Sequence, residues 1–302
     1  MKPTLTVFTP TYNRAYILGR CYESLKRQTC KDFVWLIIDD GSTDNTRELV
    51  DRWIQENKVP IKYHYQENQG MHGAHNTAYE LIDTELNVCI DSDDYMADDA
   101  VEKIISFWRR HGNEKTAGII ALDSYTDGRI IGTLLPEHVK SSTLFDIYNK
   151  YRVKGDKKLI YRSELTKRYP YPLFPGEKYV NLAYKYSMLD RDYELLIMNE
   201  TVCYVEYMND GSSRNMLKQY RKNPRGFAFW RKEAMKLPFG SMMYKYRQAV
   251  HYVSSSLISN NRYFIKESPR KFLTVFAIPP GILLFLYIMF MTGADRKTAD
   301  ER

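Results

Sequence analysis

Two hydrophobic rhythms alternate over the first 125 residues. Short unbroken apolar runs, which suit buried strands, are followed by stretches whose apolar residues recur every three or four positions, which suit helices. "TLTVFT" (4–9) predicts a strand, and Ile17, Leu18, Cys21 and Leu25 predict a helix ending near Gln28. "FVWLII" (33–38) has no polar break and suits a strand covered on both faces. Asp44 or Thr43 is then placed to cap a helix over "NTRELVDRWIQ", with Leu49, Val50, Trp53 and Ile54 on one side. "IKYHYQ" (61–66), "GAHNTAYELI" (73–82), "LNVCID" (86–91) and "DDAVEKIISFWRRH" (98–111) continue the series as strand, helix, strand, helix, before a further apolar run, "AGIIALDSY" (117–125). Such alternation predicts an α/β fold with a doubly wound, mostly parallel sheet.

Beyond residue 125 the rhythm loosens. "DKKLIYRSEL", "GEKYVNLAYKYSML", "YELLIMNE" and "TVCYVEY" predict strand, helix, strand and strand, completing the sheet with antiparallel members. From Ser212 the chain reads as helical, basic and rich in tyrosine, ending in "FLTVFAIPPGILLFLYIMFMTGA". The expected division is a sheet domain over 1–211, in halves 1–125 and 126–211, and a helical extension over 212–302.

Charge sharpens that division. The net charge is +7, but residues 214–271 hold fourteen Lys and Arg against Glu233 and Glu267, a surplus of 12, whereas the first 213 residues sum to −5. Halves so different in charge imply different partners. The four cysteines show no CxxC pair and no metal-ligand spacing, which predicts reduced thiols. The N-terminal stretch lacks the apolar core of a secretory signal, so the bulk of the chain is expected in the cytoplasm.

Acidic residues gather where the predicted strands end. Thr9, Asp39, Asp40 and the run Asp91, Asp93, Asp94 all fall at strand carboxyl ends, where open α/β sheets bind ligands. Three carboxylates within four positions repel one another unless a cation compensates them. A hard divalent ion, Mn²⁺ or Mg²⁺, held by one or two protein oxygens and completed by diphosphate oxygens, would do so.

Taken together and in order, "FTPTYNR" (8–14), "LIIDDGSTDNT" (36–46), "NQGMHGAHNTA" (68–78) and "IDSDDYM" (90–96) resemble the family-2 inverting glycosyltransferases with the A-type nucleotide-diphosphosugar fold. The resemblance covers about residues 4–210. It implies that Thr9 and Tyr12 embrace a nucleoside, and that Asp40 accepts a hydrogen bond from the N–H of a uracil ring. It also implies that Asp91 contacts ribose or sugar, that Asp93 is the metal ligand, and that Asp94 shares either task. Relatives commonly carry Arg where this chain has His75, so the pyrophosphate contact passes to His75 or to the backbone N–H groups near Gly70 and Gly73. His72 lies one turn earlier; a His72–His75 metal pair is the weaker reading, because the acids offer a better hard-ion site.

The catalytic base falls to "FPGEKYVN" (174–181), which resembles the family's loop-to-helix segment and makes Glu177 the candidate. Here Lys178 stands where the family often has a second acid. The plain alternative is that Glu177 serves only as a helix N-terminal acid. "EYMNDGSSRN" (206–215) matches a loop that closes over the donor, with Arg214 as a diphosphate contact.

No charged residue occurs from Phe272 to Ala294. That window is long enough for a bilayer, but Pro279-Pro280-Gly281 interrupts it, so two short apolar helices dipping into one leaflet are expected rather than a straight span. The basic stretch before it would attract anionic cytoplasmic-leaflet lipid. "KQYRKNPRGFAFWRK" interleaves cations with aromatics, yet no nucleic-acid module is present, and membrane is the expected partner. An oligomer would form through the C-terminal helices.

The reading is therefore a metal-dependent transferase that moves a sugar from a UDP-sugar, with inversion, to a glycan or lipid-linked acceptor at the cytoplasmic face of the cell membrane. A sugar nucleotidyltransferase is the second enzyme reading, but "TPTYNR" lacks the Gly-rich basic loop it needs. A catalytically silent sugar-nucleotide-binding or scaffolding subunit is the alternative from another class.

Overall fold

The structure, a computed structural model, describes residues 2–206 and 216–299. The chain divides into two compact units, one running to Pro170 and resuming at Asp192, the other made of Tyr171–Arg191 and the C-terminal helices.

The first unit follows the predicted alternation: β1 (Leu5–Thr11), α1 (Ala15–Lys26), β2 (Phe33–Asp39), α2 (Thr46–Glu56), β3 (Ile61–Tyr65), α3 (Met71–Leu81), β4 (Leu86–Cys89), β5 (Tyr95–Met96), α4 (Ala100–His111) and β6 (Thr116–Tyr125). β7 (Ser141–Ser142), α5 (Leu144–Asn149), β8 (Lys157–Arg162), α6 (Ser163–Thr166) and, after α7 (Ala183–Leu189) of the second unit, β9 (Glu194–Val205) complete it. Strand order is β3-β2-β1-β4-β8-β6-β9-β5, with β7 also on β9. β1, β2, β3 and β4 run parallel, as do β6 and β9, whereas β8 is antiparallel to both its neighbours and β5 and β7 are antiparallel to β9. The sheet is thus mixed rather than mostly parallel.

Every residue of β2 is buried, as its unbroken apolar run requires for a strand sandwiched between helices. Tyr22 of α1 stacks on Trp53 of α2 with ring centroids 4.4 Å apart, fastening both helices over Trp35 of β2. Asp44 accepts from the backbone N–H of Thr46 at 3.1 Å and of Ala15 at 3.1 Å, so it serves the starts of both α1 and α2. The segments "YELLIMNE" and "TVCYVEY" form one strand instead of two, because register shifts against β6 absorb the polar residues between them.

The second unit is helical. α8 (Met216–Lys222), α9 (Pro224–Lys236), α10 (Met242–Ile258), α11 (Phe264–Glu267), α12 (Lys271–Phe276) and α13 (Ile278–Ala299) follow in sequence. Met235, Ala249, Tyr252, Val253 and Ala277 form the buried cluster that unites α9, α10 and the α12–α13 junction. Pro279 and Pro280 fall in the first turn of α13, where N–H groups have no intrahelical partner anyway. The apolar window is divided at Ala277, just before the prolines, into α12 of 6 residues and α13 of 22, so two helices form as expected but the second is long rather than short. Among the described residues no helix is long and apolar enough to cross a membrane.

Candidate active site

The carboxyl ends of β1, β2 and β3 are laced together by buried polar groups. Asp39 accepts from the Ser42 N–H at 2.8 Å and the Tyr63 hydroxyl at 2.6 Å, which orients the turn after β2. Asp40 accepts from Gln66 Nε2 at 2.7 Å and from the backbone N–H of Gln69 and Gly70, each at 2.8 Å, and its own N–H donates to the Thr11 carbonyl. One carboxylate thus fixes the loop that leads into α3. Asn13, at φ 54°, donates its N–H to Ser42 Oγ and accepts from the Thr43 N–H at 2.7 Å, tying the end of β1 to the start of α2.

Two atoms of this network lack partners. Thr11 Oγ1 and Gln66 Oε1 are buried with no hydrogen-bond partner among the described residues. An unsatisfied buried polar atom costs about 1–3 kcal/mol, so this pair marks a place where a polar ligand would be favoured. Tyr12, next to Thr11, leaves 49% of its surface exposed, enough for a flat ring to stack on it.

At the end of β4 the chain turns sharply, the Asp94 N–H donating to the Asp91 carbonyl at 3.0 Å. The three acids separate by environment. Asp91 is exposed and Asp93 half-buried, while Asp94 points inward. There it meets Lys158 of β8, whose Nζ lies 3.6 Å from Asp94 Oδ2 and 3.7 Å from Asp123 Oδ1 of β6. Burial pushes the Asp94 carboxyl up to about 8, with Lys158 opposing and Asp91, Asp93 and Asp123 adding to the rise. Burial likewise raises Asp123, to about 6. Although burial alone would lower Lys158, Asp123, Cys203, Asp94 and Asp91 outweigh it and hold its ammonium well above the ordinary lysine range. A resident lysine therefore supplies part of the positive charge that the acidic run demands.

The remaining two acids fit a divalent ion by their chemistry, being hard oxygen donors at an open turn. No group of three or more His, Cys, Asp or Glu able to hold an ion occurs among the described residues, so such an ion would take most of its ligands from elsewhere.

Glu177 belongs to the second unit, in a stretch that stays non-helical until Ala183. Its carboxylate accepts from Arg225 N at 3.0 Å, Arg225 Nε at 2.9 Å and Gly226 N at 2.8 Å, and so caps α9. The Lys178 N–H donates to Asn223 Oδ1 at 2.7 Å, and Tyr179 stacks on Phe227. A side chain at Gly226 would put its Cβ 2.1 Å from the Tyr179 carbonyl oxygen, so glycine alone permits this approach. Among the described residues three N–H groups reach Glu177, one fewer than the four acceptor positions of a carboxylate.

The model of the glycosyl transferase family 2 domain matches residues 6–170, more than half of the chain. The chain belongs to glycosyl transferase family 2. The match ends at the residue where the sheet unit gives way to the helical one, so the Glu177 segment lies outside it. Among relatives, the teichoic acid poly(glycerol phosphate) polymerase of Staphylococcus epidermidis is 32% identical over 126 residues, 41% of this chain and 17% of that protein. Chondroitin synthase of Escherichia coli is 34% identical over 108 residues, 36% of this chain and 16% of that protein. The aligned stretch thus spans about a sixth of the length of either. The crystal structure of S. aureus TarS in complex with UDP-GlcNAc superimposes with a TM-score of 0.63 at 17% identity, covering 96% of this chain and 92% of that one. Mannosyltransferase PcManGT from Pyrobaculum calidifontis, in complex with GDP-Man and Mn²⁺, gives 0.55 at 16% identity, covering 97% and 76%. Likeness at this identity shows the fold, which is the A-type glycosyltransferase fold.

Against that family pattern, three expected ligand contacts turn away. Thr9 is fully buried, its hydroxyl accepting from the Trp35 indole at 3.0 Å, so its side chain faces the core and not a nucleoside. His75 is 1% exposed, with Nδ1 3.2 Å from the Tyr79 hydroxyl, Nε2 3.7 Å from Cys89 Sγ and its ring edge-on to Phe8. It braces α3 on β1 and β4 and does not present itself to a phosphate. Asp94 faces Lys158 instead of solvent, which makes it a support for the acid turn. Arg214 lies outside the described residues. Four residues escaped the sequence reading: Thr11, Asn13, Gln66 and Lys158. The first three stand within or beside the quoted motifs, which is the signal that could have found them.

Proposed function

We propose that this family-2 glycosyltransferase moves a sugar from a nucleoside diphosphate sugar, most simply a UDP-sugar, with inversion, to a hydroxyl of a glycan or lipid-linked acceptor in surface polysaccharide or teichoic-acid-like biosynthesis. The observation that carries the donor reading is the orphaned pair Thr11 Oγ1 and Gln66 Oε1 beside the Asp40 network. A uracil edge offers an N–H donor and carbonyl acceptors, the complement of a bare amide oxygen and a hydroxyl. Tyr12 would stack on the base, and Asp91 would meet the ribose or sugar. Asp93 would hold Mn²⁺ or Mg²⁺, which when bound neutralises charge developing on the departing diphosphate. The sugar nucleotides named for the neighbouring structures, UDP-GlcNAc and GDP-Man with Mn²⁺, agree in chemical class.

Inversion needs an acceptor hydroxyl to attack the anomeric carbon opposite the breaking bond to diphosphate, giving its proton to a carboxylate. Glu177 is assigned that task through its remaining acceptor position, while its other positions anchor the loop to α9. The same anchoring favours the second reading, a silent subunit in which Glu177 is structural only.

Release of UDP or GDP from a panel of sugar nucleotides with Mn²⁺ decides between them. Binding of UDP with Mn²⁺ but no turnover of any donor establishes the silent subunit. If turnover is seen, Glu177→Gln should lower it by about 10²-fold or more while calorimetry shows donor affinity nearly unchanged; a near-normal rate removes Glu177 as base. Asp93→Asn should weaken UDP binding in Mn²⁺ by about tenfold or more, ~1.4 kcal/mol, and leave metal-free binding alone. Equal affinity in both conditions refutes the ligand assignment.

A further inference from the structure

The helical unit carries a surface that the sugar chemistry does not use. Phe272, Val275, Phe276, Leu283, Leu286 and Phe290 recur at helical spacing along α12 and α13, and all are exposed, Phe272 by 86%, Phe290 by 75% and Phe276 by 73%. On the opposite side Thr274, Ala277, Gly281, Ile288 and Thr292 are buried. Gly281 packs so tightly on α10 that a Cβ would stand 2.6 Å from Val253 Cβ, and the Thr292 hydroxyl accepts from Arg221 at 3.0 Å. As far as Gly293, α13 is therefore apolar all round but packed on one side only, and a helix of that kind is stable in water only when its other side is covered.

We infer that this outer face of α12 and α13 lies flat on an anionic lipid surface, docking the protein on one leaflet without crossing it. Among the described residues no helix is both long and apolar enough to cross a membrane. Charge chooses the occupant. Fourteen cations against two acids over 214–271 make the unit strongly positive, and Arg262, Lys266, Arg270 and Lys271, just before Phe272, are exposed. A second copy would bring the same surplus of positive charge to the interface, whereas phosphatidylglycerol-type headgroups neutralise it as the aromatic side chains enter the interfacial layer. The inference deepens the proposed function by naming what holds the acceptor-side unit at a membrane, and it does not depend on which donor is used.

The full chain is to be sedimented with vesicles of phosphatidylcholine alone and of phosphatidylcholine with phosphatidylglycerol, at low and high salt. The expected result is co-sedimentation with the anionic vesicles, weakened by salt. The triple variant Phe276→Ser, Leu283→Ser, Phe290→Ser should lose at least about tenfold in partitioning. Because these side chains point away from the packed face, that variant should keep its helical circular dichroism and its UDP affinity. Equal partitioning of wild type and triple variant overturns the inference, as does a wild-type dimer in sedimentation velocity that the triple variant abolishes while vesicles are ignored. Donor hydrolysis measured on the same samples reads the sugar chemistry separately, so failure of one proposal is not mistaken for failure of the other.

Discussion

Among the buried lysines, Lys158 of the sheet unit and Lys185 of the helical unit are treated in opposite ways. Lys158 sits between Asp94 and Asp123, whose charges hold its proton firmly. Lys185 of α7 is 1% exposed with its ammonium 5.1 Å from the Tyr171 ring centroid, and burial drops its pKa to about 7. Burial alone therefore does not mark a site. Lys158 shares its space with the acids of the β4 turn, whereas Lys185 lies in α7 beside the Tyr171 ring.

The larger test of this contrast is Lys158→Met, which leaves Asp94 and Asp123 buried without their cation. A loss of about 3–5 kcal/mol in urea unfolding is expected, because an uncompensated buried charge is the costly half of a broken pair. Lys185→Met should act the other way. The folded pKa of about 7 lies below the unfolded value of 10.5, so the folded protein binds fewer protons between those limits and wild-type stability rises with pH there, by at most about 1.4 kcal/mol per unit. The variant should therefore be more stable than wild type at pH 6, with the advantage shrinking toward pH 10. A constant difference across that range would show that Lys185 keeps its proton in the folded protein and that its pKa is not lowered.

Legibility in the sequence followed the same divide. Strands and helices of the first 125 residues could be read because a doubly wound sheet imposes long, clean periods on both. β5 and β7 were missed, since two residues cannot display a period. Motifs placed the candidate residues at strand ends but did not give the facing of their side chains. Thr9 and His75 stand in the motif stretches and look inward, because strand and helix periodicity, which the motif does not encode, decides direction. Lys158 was hidden for a related reason: in "DKKLIYR" a lysine reads as the polar member of an alternating strand, and only the register placing it beside Ala121 of β6 brings it to Asp123. The Glu177 segment was misjudged as helix because its capping partner, "NPRG", lies 46 residues further along the chain.

That long-range clasp reaches further than the acid itself. Glu177 is fastened to α9, α9 leans on α10, and α10 carries α12 and α13 on its flank. Were the outermost helix to settle on a bilayer, the carboxylate would ride at a constant height above the headgroups. Acceptors would then be sorted by how far a hydroxyl protrudes, much as a gauge block sorts parts by thickness.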